Sequence, residues 1–152
     1  MADRITKEQR RKNMAAIRSV SKLETQFSKA LWKKGIRYRR NVRKLFGSPD
    51  ISIEKYKVVI FIDSCFWHKC PLHFTRPKSN QEFWDKKISR NVERDKEVTN
   101  YYEENDWNII RFWEHEVRKD FEATVSKAVE FINNARIQKS NNRPSPKGNQ
   151  QD

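Results

Sequence analysis

The chain contains two cysteines and three histidines, and four of those five residues fall within nine positions, Cys65-Phe66-Trp67-His68-Lys69-Cys70-Pro71-Leu72-His73. The fifth is His115. Thiolate sulfur and imidazole nitrogen are the donors that zinc prefers, and four of them complete a tetrahedral structural site. Taking Cys65, Cys70, His73 and His115 gives a compact knuckle, closed by a residue just beyond a strand expected at 107–113. His68 is then left over. Residue type alone does not say which histidine is the odd one out, because five donors compete for four places. Free thiols or a disulfide are the plain alternative, and a disulfide is out of place in a cytosolic domain.

Around this cluster the periodicities alternate between helix and strand. Ser21 and Glu24 form a capping-box pattern, Leu23, Phe27, Ala30 and Leu31 repeat on one helical face, and Gly35 follows the last turn. Ile36, Tyr38 and Val42 alternate as in a strand. Phe46-Gly47-Ser48-Pro49 reads as a turn, followed by short strands at Asp50-Ile53 and Val58-Ile62 that form a hairpin. A helix is expected from about Asn80 to Glu104, with Trp84, Ile88, Val92, Thr99 and Tyr102 on or near one face. A strand then runs from Trp107 to Trp113, and a last amphipathic helix from about Asp120 carries Phe121, Val125, Ala128, Val129 and Ile132. The order helix, three strands, helix, strand, helix predicts a small α/β domain with a mixed sheet. Three segments are expected: a mobile basic arm over 1–20, the folded domain over 21–136 and a disordered polar tail over 137–152.

Charge is concentrated at one end. Residues 1–44 carry fifteen of the 33 basic side chains and three of the 20 acidic ones, so they hold +12 of the net +13. A basic flank beside a nearly neutral body suits a polyanion, because Lys and Arg displace counterions from nucleic-acid phosphates. Arg4, Lys7, Arg10, Arg11, Lys12 and Arg18 are the side chains expected to bind DNA. No apolar run is long enough to cross a membrane or to serve as a secretory signal, so a soluble, cytoplasmic chain is expected.

Several separated motifs together resemble the very short patch repair endonucleases. They are Gly47-Ser48-Pro49-Asp50, the run Val58-Val59-Ile60-Phe61-Ile62-Asp63-Ser64-Cys65-Phe66-Trp67-His68 through His73, Phe83-Trp84, Lys87-Ile88-Ser89-Arg90-Asn91-Val92-Glu93-Arg94-Asp95 and Trp113-Glu114-His115-Glu116. Arg11-Lys12-Asn13-Met14 followed by Ala16-Ile17 extends the likeness, which spans about residues 5–135. It implies a restriction-endonuclease-like fold, a central mixed sheet flanked by helices with a structural zinc site. It also implies an activity: nicking the thymine strand 5′ to the T of a T:G mismatch left by deamination of 5-methylcytosine.

The resemblance further implies one zinc held by Cys65, Cys70, His73 and His115, with His68 serving catalysis. Asp50 becomes the principal ligand of a pair of magnesium ions, aided by the backbone carbonyl of Ile62, with Glu24 and Asp63 holding metal-bound waters. The lysine that restriction-type sites place after Pro-Asp is missing here, and by resemblance His68 takes the general-base role with Asp95 orienting it. Asp95 also stands seven residues from both Ile88 and Tyr102, so it faces their apolar stripe and needs a partner there. Phe66, Trp67 and Trp84 are ordinarily core aromatics; in the family such positions insert into the base stack, which is easiest at a wobble pair. The implied partner is double-stranded DNA bearing T:G, acted on by a monomer, with a mismatch-repair protein and a DNA polymerase as further partners. Two other readings stand beside this one: a restriction-type nuclease without mismatch preference, and a nonenzymatic zinc-stabilised DNA-binding module.

Overall fold

The computed structural model describes residues 6–141 and, within them, every side chain except those at position 13 and positions 15–20. The elements are α1 (Lys7–Lys33), β1 (Arg39–Arg40), β2 (Ile51–Ile53), a 3₁₀ turn (Glu54–Tyr56), β3 (Val58–Asp63), α2 (Gln81–Glu104), β4 (Asn108–Trp113), α3 (Glu114–Lys119) and α4 (Phe121–Asn141).

The first helix is longer than its apolar stripe. It begins at Lys7 rather than Ser21, and its capping box is formed by Thr6 and Gln9 through reciprocal bonds of 3.1 and 3.2 Å. Ser21 and Glu24 lie inside the helix, where the Ser21 carbonyl accepts from the Thr25 hydroxyl. Lys, Arg, Gln, Glu, Met and Ala are strong helix formers, so the polar segment can extend the helix by propensity. At the other end α4 runs to Asn141, beyond the expected start of the tail, and the Lys139 ammonium donates to the Lys55 carbonyl at 2.6 Å.

The sheet order is β1-β2-β3-β4, with the first two pairings antiparallel and β3-β4 parallel. All six residues of β3, Val58-Val59-Ile60-Phe61-Ile62-Asp63, are buried, as an interior strand covered on both faces requires. Alternation divides them between two layers. Val58, Ile60 and Ile62 join Phe27, Leu31, Phe112, Val117, Val125 and Ile132 in the main core against α1, α3 and α4. Val59 and Phe61 pack with Val98 and Tyr102 of α2, the crossover helix of the β3-α2-β4 unit. Each fully buried Leu, Ile, Val or Phe in these layers contributes about 1.5–3 kcal/mol through water exclusion. By the same alternation Asp63 shares the α2 face with Phe61, so a carboxylate stands at the end of the strand where the crossover begins. Among the described residues no helix is long and apolar enough to cross a membrane.

Candidate functional site

Glu24, Asp50 and Asp63 arrive from three different elements. Asp50 lies just before β2, behind the turn that contains Gly47, and its carboxylate accepts from the Ile62 amide at 2.7 Å. That bond locks the start of β2 to the end of β3 and sets the Ile62 backbone beside the carboxylate. Gly47 has φ +76, and a Cβ there would stand 2.6 Å from a Val98 methyl, so the close approach of this turn to α2 requires glycine. Glu24 reaches Asp50 from the middle of α1. Burial first, then the adjacent Asp50 charge and a hydrogen bond with it, push the Glu24 carboxyl up to about 8. Asp50 is raised as well, mainly by burial. Two half-buried carboxyls, each raised in pKa, are hard oxygen donors suited to a divalent cation.

Asp63, only 5% exposed, is also raised by burial, against the opposing pull of His68 and Arg111. His68 lies in the turn after β3, where its amide donates to the Ser64 carbonyl at 3.1 Å. Its Nδ1 is 2.5 Å from Asp95 Oδ2 and 3.8 Å from Asp63 Oδ1. An ionised carboxylate only accepts, so Nδ1 carries the proton and Nε2 is the basic nitrogen. Burial lowers the His68 pKa, but the hydrogen bond its Nδ1–H donates to Asp95 and the charges of Asp63 and Asp95 outweigh it and leave the imidazole above its ordinary value. A cavity of about 270 Å³ joins Glu24, Asp50, Asp63, Trp67 and His68. A larger one of about 850 Å³, at the far end of the strands beside Tyr56 and Trp107, brings no comparable acid and base together.

Arg111, in the middle of β4, was not singled out by the sequence. Its guanidinium donates to both oxygens of Asp63 at 3.0 and 3.2 Å, to the Asp95 carbonyl at 3.2 Å and to the Thr99 hydroxyl at 2.9 Å. The signal was available. A cation inside the apolar strand Ile109-Ile110-Arg111-Phe112-Trp113 must have partners on whichever face it meets.

A second cluster forms on the other side of the same turn. The Cys70 amide closes the loop onto the Cys65 carbonyl at 2.9 Å. The two buried sulfurs lie 3.3 and 3.5 Å from Nδ1 of His115, the second residue of α3. Cys65, Cys70 and His115 could hold a metal ion, their donor atoms all lying within 4.8 Å of one another. Burial pushes the Cys65 thiol up to about 11, so a thiolate there requires a cation. His73 is exposed and stands beside the group, its ring 4.3 Å from that of His115. The structure therefore separates His68 from the sulfur cluster and brings three of the four expected donors into ligating proximity.

Three aromatics pack against one another at tilted and edge-to-face angles. Phe66, Trp67 and Trp84 have ring centroids 5.2 to 5.7 Å apart. Phe66 and Trp67 are partly exposed, whereas Trp84 is buried at 5% and lies under them as a support. Asn91 of α2 holds the Trp67 carbonyl at 3.2 Å. Lys7, Arg10, Arg11 and Lys12 are exposed at the start of α1, which Gln9 ties to Ser79 just ahead of α2. Arg4 and the Arg18 side chain lie outside the described residues.

Known proteins resemble this chain in sequence. The family model "DNA mismatch endonuclease Vsr" matches residues 2–73. A type II nicking enzyme of Neisseria meningitidis serogroup C, V.NmeDIP, is 41% identical over 86% of this chain and 90% of its own. The type II nicking enzyme V.HpaIIP of Haemophilus parainfluenzae is 42% identical over 84% and 95%. The DNA mismatch endonuclease Vsr of Escherichia coli K12 is 37% identical over 78% of this chain and 77% of its own. A carboxylate cluster facing a histidine suits phosphodiester hydrolysis, and with these relatives it places the chain in the Vsr family of DNA mismatch endonucleases, enzymes that cleave DNA.

Proposed function

We propose that this endonuclease nicks the thymine strand of a T:G mismatch 5′ to the mismatched T, at sites of 5-methylcytosine deamination, and so starts very short patch repair. One observation carries the reading: His68, held at 2.5 Å by Asp95, opens on the same cavity as Glu24, Asp50 and Asp63, with Trp67 in its lining and Phe66 packed against Trp67. The relatives, a mismatch endonuclease and nicking enzymes, agree with a single-strand cut beside a mismatch.

Asp50 and Glu24 would hold magnesium, as a pair of ions, with the Ile62 carbonyl beside them and Asp63 positioning water. Magnesium, when bound, relieves charge on the phosphate and the leaving oxygen. Asp95 fixes the imidazole so that Nε2 accepts a proton from the attacking water. Phe66 and Trp67 enter the stack at the wobble pair, supported by Trp84 beneath, and the exposed cations at the start of α1 grip phosphates. Cys65, Cys70 and His115, with His73 as fourth donor, would hold zinc and fix the turn that presents His68. On this reading the chain is a restriction-endonuclease-like domain that acts as a monomer on duplex DNA.

The test is a strand-labelled digest of T:G and fully paired duplexes with magnesium, across varied flanking sequences. A nick confined to the thymine strand of the mismatch is expected. Equal cutting of paired DNA would make the chain a general nuclease. Binding without cleavage under any divalent metal would reduce it to a DNA-binding module.

A further inference from the structure

Asp63 and Asp95 both face His68 Nδ1, and the ring can serve only one of them. Asp95 Oδ2 has it at 2.5 Å and Asp63 Oδ1 stands off at 3.8 Å. Burial does not explain the choice. The Asp63 side chain is 8% exposed against 24% for Asp95, so Asp63 has the greater need of a cation. Left alone, it would draw the imidazole toward itself.

Arg111 supplies that cation. The parallel register sets Arg111 opposite Phe61, two residues short of Asp63, and its guanidinium carbon lies 4.3 Å from the centre of the Phe61 ring. Nη1 engages both oxygens of Asp63, Nη2 takes the Asp95 carbonyl and Nε takes the Thr99 hydroxyl. All three nitrogens are committed in one plane, a geometry that a lysine ammonium cannot reproduce. One side chain thus satisfies the competing carboxylate and ties down the backbone of the carboxylate that holds the histidine.

We propose that Arg111 is a positioning residue for the nicking reaction: it occupies Asp63 so that His68 stays with Asp95 and Nε2 stays directed at the cleft. The inference rests on the reading of His68 as the proton acceptor. Arg111 itself touches neither DNA nor the reacting atoms in this account.

The experiment compares Arg111→Met, Arg111→Lys, Asp63→Asn, the double variant Arg111→Met/Asp63→Asn and His68→Ala. Each is measured for single-turnover nicking of a T:G duplex with magnesium, duplex affinity, thermal melting and the proton resonance of the His68 Nδ1–H. Arg111→Met is expected to slow nicking by about tenfold to a hundredfold at affinity within about twofold of wild type, the scale of a misdirected catalytic group. Arg111→Lys should not rescue it. Because Asp63 also positions water, the double variant is compared with Asp63→Asn: with the competing charge gone, adding Arg111→Met should cost no further rate, and this comparison remains informative if Arg111→Met alone folds poorly. The far-downfield Nδ1–H resonance expected for the Asp95 bond should vanish in Arg111→Met and return in the double variant. Wild-type nicking by Arg111→Met while His68→Ala is inactive overturns the inference, as does a double variant slowed relative to Asp63→Asn as much as Arg111→Met is relative to wild type. If His68→Ala nicks normally, the reading of His68 fails instead. The resonance then decides for Arg111: its persistence in Arg111→Met overturns the positioning role and its loss supports it.

Discussion

At the scale of single residues, the site consists of buried acids held away from their usual ionisation. Asp95 raises the His68 pKa, so the acid limb of the nicking profile should lie above the ordinary histidine value, because only the neutral ring accepts a proton. In Asp95→Asn that limb should move to lower pH while the maximal rate falls; an unmoved limb in a single-turnover pH series would detach Asp95 from His68. Glu24 gives a second test. Its folded pKa of about 8 exceeds its unfolded value, so the protonated carboxyl supports the fold at low pH. That support is lost as pH rises from roughly 4.5 through 8. Magnesium requires the ionised Glu24 carboxylate, so affinity should rise with pH over this window and calorimetry should record proton release; pH-independent binding would place the ion elsewhere. Asp50, His68 and Asp95 were legible in the sequence because they sit in motifs of the family. Arg111 was not, because a strand's periodicity reports burial and says nothing of which buried acid an arginine meets.

At the scale of elements, β3, β4 and the crossover helix followed their patterns closely, whereas the strand expected over Ile36, Tyr38 and Val42 is confined to Arg39–Arg40, both exposed. The apolar run 58–62 of β3 and the stripe Trp84, Ile88 and Tyr102 admit few other placements. The start of α1 was missed because its first turns bury no apolar stripe, although Thr6 and Gln9 carried a capping box that could have marked it. The six-residue α3 is too short for periodicity to declare, yet it matters, since it delivers His115 to the sulfurs. Two elements offer direct tests. Gly47→Ala should destabilise the fold by about 1–3 kcal/mol through backbone strain, with the Val98 clash added, and displace Asp50. Chemical denaturation and magnesium titration of that variant check both effects. The knuckle should carry one zinc per chain by elemental analysis, and Cys70→Ser should lose it together with thermal stability, as structural zinc contributes to folding. A metal-free wild-type chain of full stability would contradict this.

At the scale of the whole molecule, the sheet separates two centres that the sequence interleaves within nine residues. One face of the 64–70 turn sends His68 toward Asp95 on α2, and the other sends Cys65 and Cys70 toward His115 on α3. The exposed cations at the start of α1 lie outside both. Replacing Arg10, Arg11 and Lys12 by glutamine should therefore weaken duplex binding and flatten its salt dependence while leaving the ranking of duplexes unchanged, since phosphate contacts carry no sequence information. A changed base preference at constant affinity would contradict that role. The division between the two centres is the central claim, and His68→Ala tests it most directly through its zinc content, T:G duplex affinity and single-turnover nicking rate measured on one preparation. The account predicts retained zinc and affinity with nicking slowed by about a hundredfold or more, the scale of a lost general base. Zinc released from His68→Ala, or nicking at the wild-type rate, would contradict it.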